Sequence, residues 1–196
     1  MQVVVVRHGP TGWSRAGRHT GRTDVPLDAE GRAVASRLAP ALAGWSPRVI
    51  LSSPLGRALE TCRLAGVGEE VRIDDDLREW DYGDDEGRTT SEIRTERPGW
   101  TIWDDGPDGG ERLGDVAARA DRVLERIRTL GADRVAVFSH GHFLRVFASR
   151  WLGLEGRTGA HLALDAGALG LLGHERETPV IARWNVPPSA GAAALE

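Results

Sequence analysis

Two short strings constrain this chain most: Val-Val-Val-Val-Arg-His-Gly at residues 3–9 and Val-Ala-Val-Phe-Ser-His-Gly-His at residues 135–142. Each is a run of apolar, mostly β-branched residues that stops at a histidine followed by glycine. Such a run reads as a strand buried on both faces, the pattern of a parallel sheet. Ligands of open parallel sheets bind beyond the carboxyl ends of the strands. The pattern therefore predicts that His8 and His140, far apart in the chain, are neighbours over one crevice. Arg7 stands beside the first of them. Two histidines and an arginine at strand ends suit an anion, phosphate above all.

Composition sets the outer limits. The 196 residues match one domain with a substantial core, expected over residues 1–186. The formal charge of -4 gives no nucleic-acid footprint. Arginine supplies all 25 of the Lys and Arg charges, and no partner is read from that. A lone cysteine, Cys62, excludes an intramolecular disulfide and a cysteine-rich metal site. The opening residues lack the basic start and cleavage site of a signal peptide. No stretch approaches membrane-spanning length. The expectation is a cytoplasmic protein without membrane or nucleic-acid partners, its self-association left open. Residues 187–196 are expected to be a frayed tail, the final Ala-Ala-Ala-Leu-Glu an expression remnant.

Along the chain, strands are expected at residues 3–7, 48–52, 71–73, 134–138, 161–164, 169–173 and 180–184. Helical stripes fall between them. Residues 32–42 align Val34, Leu38, Ala41 and Leu42. Ser53-Pro54 reads as an N-cap followed by proline at the first helical position, opening a helix that stacks Leu55, Leu59 and Cys62. Residues 116–130 give the clearest amphipathic helix. Phe143, Leu144, Phe147 and Trp151 continue a helix after the second histidine. Strands alternating with helices imply an α/β sandwich with a mainly parallel sheet. The last strands lie close together, which calls for a hairpin or an antiparallel edge. Residues 83–114, rich in Gly, Asp, Trp and Pro, read as an excursion over the crevice with one or two short helices.

Several residues could carry chemistry, each against a plainer alternative. His8 can act as a nucleophile, being largely unprotonated near neutral pH, with Gly9 allowing a sharp turn and space for a ligand. Alone, the Arg-His-Gly turn could be coincidence. A protonated His140 would donate to a phosphoryl oxygen. His19, His142, His161 and His174 are read as structural. Arg57, early in the helix after Ser53-Pro54, offers a fixed fork for two oxygens near a helix N-terminus. Its alternative is a solvated surface arginine. A phosphate ester needs a proton on its leaving oxygen, and Glu79, beside Trp80 and Tyr82, can supply one if burial raises its pKa. Residue types alone do not separate Glu79 from Asp74, Asp75, Asp76, Asp81, Asp84, Asp85 and Glu86. The same acidic run could hold a metal, but the other candidate phosphate ligands are cationic and would make one unnecessary.

These residues resemble the histidine phosphatase, or phosphoglycerate mutase-like, superfamily, whose signature is an Arg-His-Gly ending the first strand and a second histidine late in the chain. The resemblance covers residues 3 to about 184. It is strongest to a phosphatase branch that includes acid phosphatases of actinobacteria and yeast-type sedoheptulose-1,7-bisphosphatase, through WSRAGRHTGRTDVPL, SSPLGRALET, DDDLREWDYGDDEG, ERPGWTIWDDG, SHGHFLR and LDAGALGLL. It implies a three-layer α/β/α sandwich and no metal or other cofactor. It implies that His8 becomes phosphorylated, that Arg7, Arg57 and His140 complete the phosphate pocket, and that Glu79 donates the proton. Ser14, Thr20 and Gly21 fall where the family contacts the rest of the substrate, and Gly141 offers a backbone amide near the phosphate. Pro10 departs from the usual glutamate or glutamine, Ser14 from a common asparagine, and Arg112 from a common serine. Arg112 either reaches a second anionic group or points to solvent, the second being preferred. The expected activity is metal-independent hydrolysis of a small phosphomonoester, a phosphosugar first, through a phosphohistidine. The rivals are a cofactor-dependent phosphoglycerate mutase and a non-catalytic phosphate-ligand binding domain.

Overall fold

A computed structural model of the chain describes residues 1–191 and 195. Six strands form one sheet: β1 (Gln2–Arg7), β2 (Val49–Ser52), β3 (Val71–Ile73), β4 (Arg134–Ser139), β5 (Leu169–Glu175) and β6 (Thr178–Val186). Their order is β3-β2-β4-β1-β5-β6. The first four run parallel, and β5 and β6 form an antiparallel hairpin along β1. The helices are α1 (Gly12–Arg15), α2 (Ala29–Ser36), α3 (Ala39–Trp45), α4 (Gly56–Leu64), α5 (Thr90–Glu96), α6 (Leu113–Thr129) and α7 (Gly141–Trp151).

The valine run of β1 explains the layering. Successive strand side chains point to opposite faces. Val3 and Val5 pack with α6 and α7, through residues such as Val123, Ile127, Phe143 and Phe147. Val4 and Val6 pack with Leu38, the N-cap residue of α3, Leu42 on α3 and Cys62 on α4. Both faces of the sheet are thus covered, and the fold is the expected mixed α/β sandwich with a mostly parallel sheet. No described helix is long and apolar enough to cross a membrane.

Three expectations are corrected. The single helix over 32–42 is two, broken between Ser36 and Ala39. Pro40 at the start of α3 cannot donate to the carbonyl of Ser36 and its ring crowds that carbonyl. Residues 161–164 are not a strand: a 3₁₀ helix spans Gly156–His161, and the carbonyl of Leu164 accepts from Arg7 instead of a sheet neighbour. The helix after Ser53-Pro54 starts later, with Leu55 as its N-cap residue and no side-chain cap. Of the expected tail, Pro188–Ala190 form a 3₁₀ turn and Leu195 is buried in the second apolar cluster; residues 192–194 and 196 lie outside the described residues.

The excursion over 83–114 holds a 3₁₀ turn at Gly83–Asp85 and the capped helix α5. Ile93, Trp100 and Ile102 anchor it in the same apolar cluster as α6 and α7. Its Trp100 and Trp103 rings stand against His19 and His142.

Candidate active site

Parallel pairing brings the two histidines together. The β1–β4 register sets Arg7 opposite Ser139, so His8 and His140 follow side by side. Their rings lie 5.2 Å apart at 60°. His8 Nδ1 is 2.7 Å from the carbonyl of Gly9. A carbonyl only accepts, so Nδ1 carries the proton and Nε2 keeps its lone pair. Burial first, then the charges of Arg57 and Arg7, hold His8 well below the usual histidine range. The ring is therefore neutral and nucleophilic at physiological pH. The only cysteine is no rival: burial pushes the Cys62 thiol up to about 12.

His140 is likewise held neutral, by burial and then by Arg57, His8 and Arg7. Its Nε2 sits 2.8 Å from Ser53 Oγ, and the same oxygen accepts from the Leu55 N–H. With the serine hydroxyl donating to Nε2, the proton of His140 lies on Nδ1. This neutral tautomer still offers a donor. Ser53, read from the sequence as a helix cap, is thus the hydrogen-bond partner of the His140 ring.

The two arginines are held from behind. Arg7 Nη1 donates to Leu164 O at 2.6 Å. Gly141 lets it lie flat, since a Cβ there would come 3.1 Å from Arg7 Cζ. Arg57 is fully buried, and its Nη atoms donate to the carbonyls of Thr20, Gly21 and Thr23. Thr61 ties the two ends together, accepting from Gly9 N and donating to Arg57 O. Gly9 is needed for a close approach and not for a positive-φ turn: a Cβ would meet Gly31 O at 2.5 Å. Among the described residues, four buried side-chain polar atoms lack a partner, and three of them are Arg7 Nε, Arg57 Nε and His140 Nδ1. Unpaired buried donors are costly, and this cluster fits an anion.

Glu79 is the member of the acidic run that lines the cavity with Arg7 and His8. Trp80 and Tyr82 are buried beside it, but its immediate partners are backbone donors. Its oxygens accept from Trp80 N, His142 N and Phe143 N at 2.8–3.1 Å. The others are engaged elsewhere: Asp74 and Asp76 by Arg126 and Arg122, Asp75 by Arg78, Asp81 by Arg22, Asp85 by Arg88 and Arg97. Glu86 accepts from three loop N–H groups, and Asp84 is exposed.

The cavity encloses about 230 Å³, room for a small metabolite. Ser14, Thr20 and Gly141 line it. Gly21 instead lines a neighbouring cavity that also reaches Glu79. Arg112 is exposed and donates to Asp105 O, the solvent alternative. His161 and His174 are exposed, away from the site. His19 and His142, read as structural, line the cavity, together with Arg18, Tyr82, Thr90 and Arg145. Helical spacing could have found two of them, because Gly141, His142 and Arg145 share the first turns of α7. His19, Tyr82 and Thr90 converge from irregular segments that carry no such signal. Tyr82 OH lies 2.6 Å from His142 Nδ1. Burial drives the Tyr82 phenol well up, so it stays protonated. A protonated hydroxyl serves this bond as donor or as acceptor, so the contact orients the His142 ring without choosing its tautomer.

Residues 3–187 match the profile of the histidine phosphatase superfamily, branch 1. An acid phosphatase of Mycobacterium tuberculosis is 38% identical over 180 residues, 89% of this chain and 87% of that one. The sedoheptulose 1,7-bisphosphatase of Saccharomyces cerevisiae is 38% identical over 183 residues, 77% and 67% of the two chains. A solved structure of an open reading frame of M. tuberculosis superposes with a TM-score of 0.90 at 34% identity, over 95% of this chain and 98% of the other. Joined to a sheet that sets two neutral histidines beside two buried arginines, these likenesses make the chain a phosphatase of the histidine phosphatase superfamily.

Proposed function

We propose that His8 Nε2 takes the phosphoryl group of a small phosphate monoester and passes it to water, without a metal ion. In the first step the Nε2–P bond forms as the ester P–O bond breaks, and Glu79 gives its proton to the leaving oxygen. In the second, water attacks phosphorus, the N–P bond breaks, and Glu79 takes the proton of the water. Phosphoryl transfer asks a protein mainly for positioning and charge stabilisation. Arg7, Arg57 and the Nδ1–H of His140 supply these. The observation that carries the reading is the set of unpaired buried donors on these three residues around an unprotonated His8 Nε2.

The cavity wall supports a phosphosugar as substrate. Ser14, Thr20 and Thr90 bring hydroxyls, His142 an imidazole, and Arg18 and Arg145 cationic groups. Leu164 is the one aliphatic side chain among the lining residues. A cytoplasmic site of action belongs to this reading and fits the single unpaired cysteine. The test is phosphate release from a panel of phosphorylated metabolites, with and without EDTA, and brief exposure to labelled substrate. Turnover should survive EDTA, and an acid-labile, base-stable label should appear on the wild-type protein. A rate abolished by EDTA and restored by magnesium would overturn the metal-free mechanism. Conversion of 3-phosphoglycerate to 2-phosphoglycerate faster than phosphate release would overturn hydrolysis in favour of mutase action.

A further inference from the structure

Arg57 reaches the phosphate pocket from α4 with no side-chain cap on that helix and no carboxylate within hydrogen-bond distance. What aims it is the loop at residues 20–24. Thr20 O and Gly21 O accept from Arg57 Nη2 at 3.1 and 3.0 Å, and Thr23 O accepts from Nη1 at 2.9 Å. Asp24 Oδ2 accepts from the Gly56 N–H at 2.8 Å, tying the same loop to the first residue of α4.

The N–H groups of that loop converge on one side chain. Glu86 Oε1 accepts from Gly21 N at 3.2 Å and Thr23 N at 2.6 Å, and Oε2 accepts from Arg22 N at 3.1 Å. Gly21 is pinned between Glu86 and the sheet-end segment: a Cβ there would meet Trp80 O at 2.7 Å. The loop is thus clamped from both sides, its donors on Glu86 and its acceptors on Arg57. Glu86 itself is not among the residues that line the cavity.

We propose that Glu86 is the positioning residue for Arg57, holding the loop whose three carbonyls fix where the guanidinium presents its free Nε–H to a phosphoryl group. Without Glu86, three adjacent N–H groups lose their acceptor and the loop turns them toward water. Its carbonyls then leave Arg57, which swings or pairs with Asp24 at 3.7 Å from its Nη1. The Glu86→Gln variant grades the effect. Its amide oxygen at the Oε1 place keeps Gly21 and Thr23, while its NH₂ faces the Arg22 N–H and loses that bond.

The inference rests on the phosphatase reading only for the identity of the anion, so the decisive measurement is binding and not turnover. Inorganic phosphate is titrated calorimetrically into wild type, Glu86→Gln, Glu86→Ala, Arg57→Ala and Arg57→Ala/Glu86→Ala, each checked for folding by circular dichroism. Phosphate affinity should fall about 10-fold or more in Glu86→Ala and less in Glu86→Gln, and adding Glu86→Ala to Arg57→Ala should change it less than about 3-fold, the coupling of residues acting as one unit. If Glu86→Ala does not fold, the same cycle is closed with Glu86→Gln. Unchanged affinity in the single variants, or an equal loss with and without Arg57, overturns the proposal. If wild type binds phosphate but releases none from any ester, the phosphatase mechanism falls while this cycle still decides the role of Glu86.

Discussion

The buried arginine and histidine side chains beside His8, the floor of the site, carry three unpaired polar atoms, whereas polar side chains on the outer wall of the cavity already have hydrogen-bond partners. Arg7 Nε, Arg57 Nε and His140 Nδ1 have no partner. On the wall, Tyr82 is bonded to His142, Thr90 to His19, and Arg145 to the carbonyls of Gly159 and Ala160. A buried donor without an acceptor destabilises the ligand-free protein, so the floor gains most when an anion arrives. The wall is already satisfied and shapes the space. Damage to the floor should therefore be severe for every substrate, and damage to the wall should depend on the leaving group.

The largest effect is expected at His8. In His8→Ala, turnover of both a sugar phosphate and nitrophenyl phosphate should fall by roughly 10⁴-fold or more, the scale of losing a catalytic nucleophile. Retention of a tenth of the wild-type rate on either substrate would remove the floor from the chemistry.

Glu79 sits where floor meets wall, and its variant reads both. Glu79→Gln should cost on the order of 10²–10⁴-fold on a sugar phosphate, whose alkoxide needs the proton. Nitrophenolate leaves without one, so nitrophenyl phosphate should suffer much less. Some loss will be common to both substrates. The glutamine NH₂ would face at least one of the N–H groups of Trp80, His142 and Phe143. The difference between the substrates, and not either loss alone, measures proton donation. Equal losses would make Glu79 a holder of α7 and not an acid.

Tyr82→Phe tests the wall alone. Removing the hydroxyl takes away the contact that orients the His142 ring. The kcat/KM for sugar phosphates should fall about 10-fold, the worth of one hydrogen bond, while that for phenyl phosphate should stay within about 3-fold. A uniform loss would mean that wall and floor are one cooperative unit.

The same division governs what the sequence made legible. The floor is written in strand-ending His-Gly strings, and parallel register then forces His8 beside His140 whatever the loops do. Arg57 was visible as an arginine near a helix start, although the cap role given to Ser53 belongs to a hydrogen bond with His140. The wall was legible only through Ser14 and Thr20, which the family resemblance pointed to. His19, Tyr82 and Thr90 meet through irregular backbone, where no periodicity links sequence distance to spatial distance. Arg145 and His142 were within reach, since helical spacing sets them beside Gly141, which was expected near the phosphate. The break at Pro40 was readable in principle, and the apolar stripe across it masked the stop.

The smallest expected effect is on stability against pH, and it separates floor from wall through their histidines. Burial, the leading cause in each case, holds His8, His140 and His142 well below the usual histidine range, and His19 below it. In the unfolded chain these groups titrate near 6.5. As pH falls below that value, the unfolded state takes up protons that the folded state refuses, so stability must decrease. The carboxylates with depressed pKa, Asp28 at about 2 among them, begin to matter only below about pH 5, so a comparison between pH 7.5 and 5.5 isolates the histidines. The melting temperature should drop across that interval, each kcal/mol lost lowering it by about 2–4 °C in a chain of this size. Phosphate should shrink the drop, because its negative charge beside His8 and His140 favours their protonated forms and binding stabilises the fold. His142→Asn should shrink it too, in the absence of phosphate, by removing one refusing ring from the wall. A melting temperature that is flat from pH 7.5 to 5.5 would mean that neither set is held neutral. A drop that phosphate leaves untouched would assign it to the wall, and with it the larger share of electrostatic strain that the floor is argued to carry.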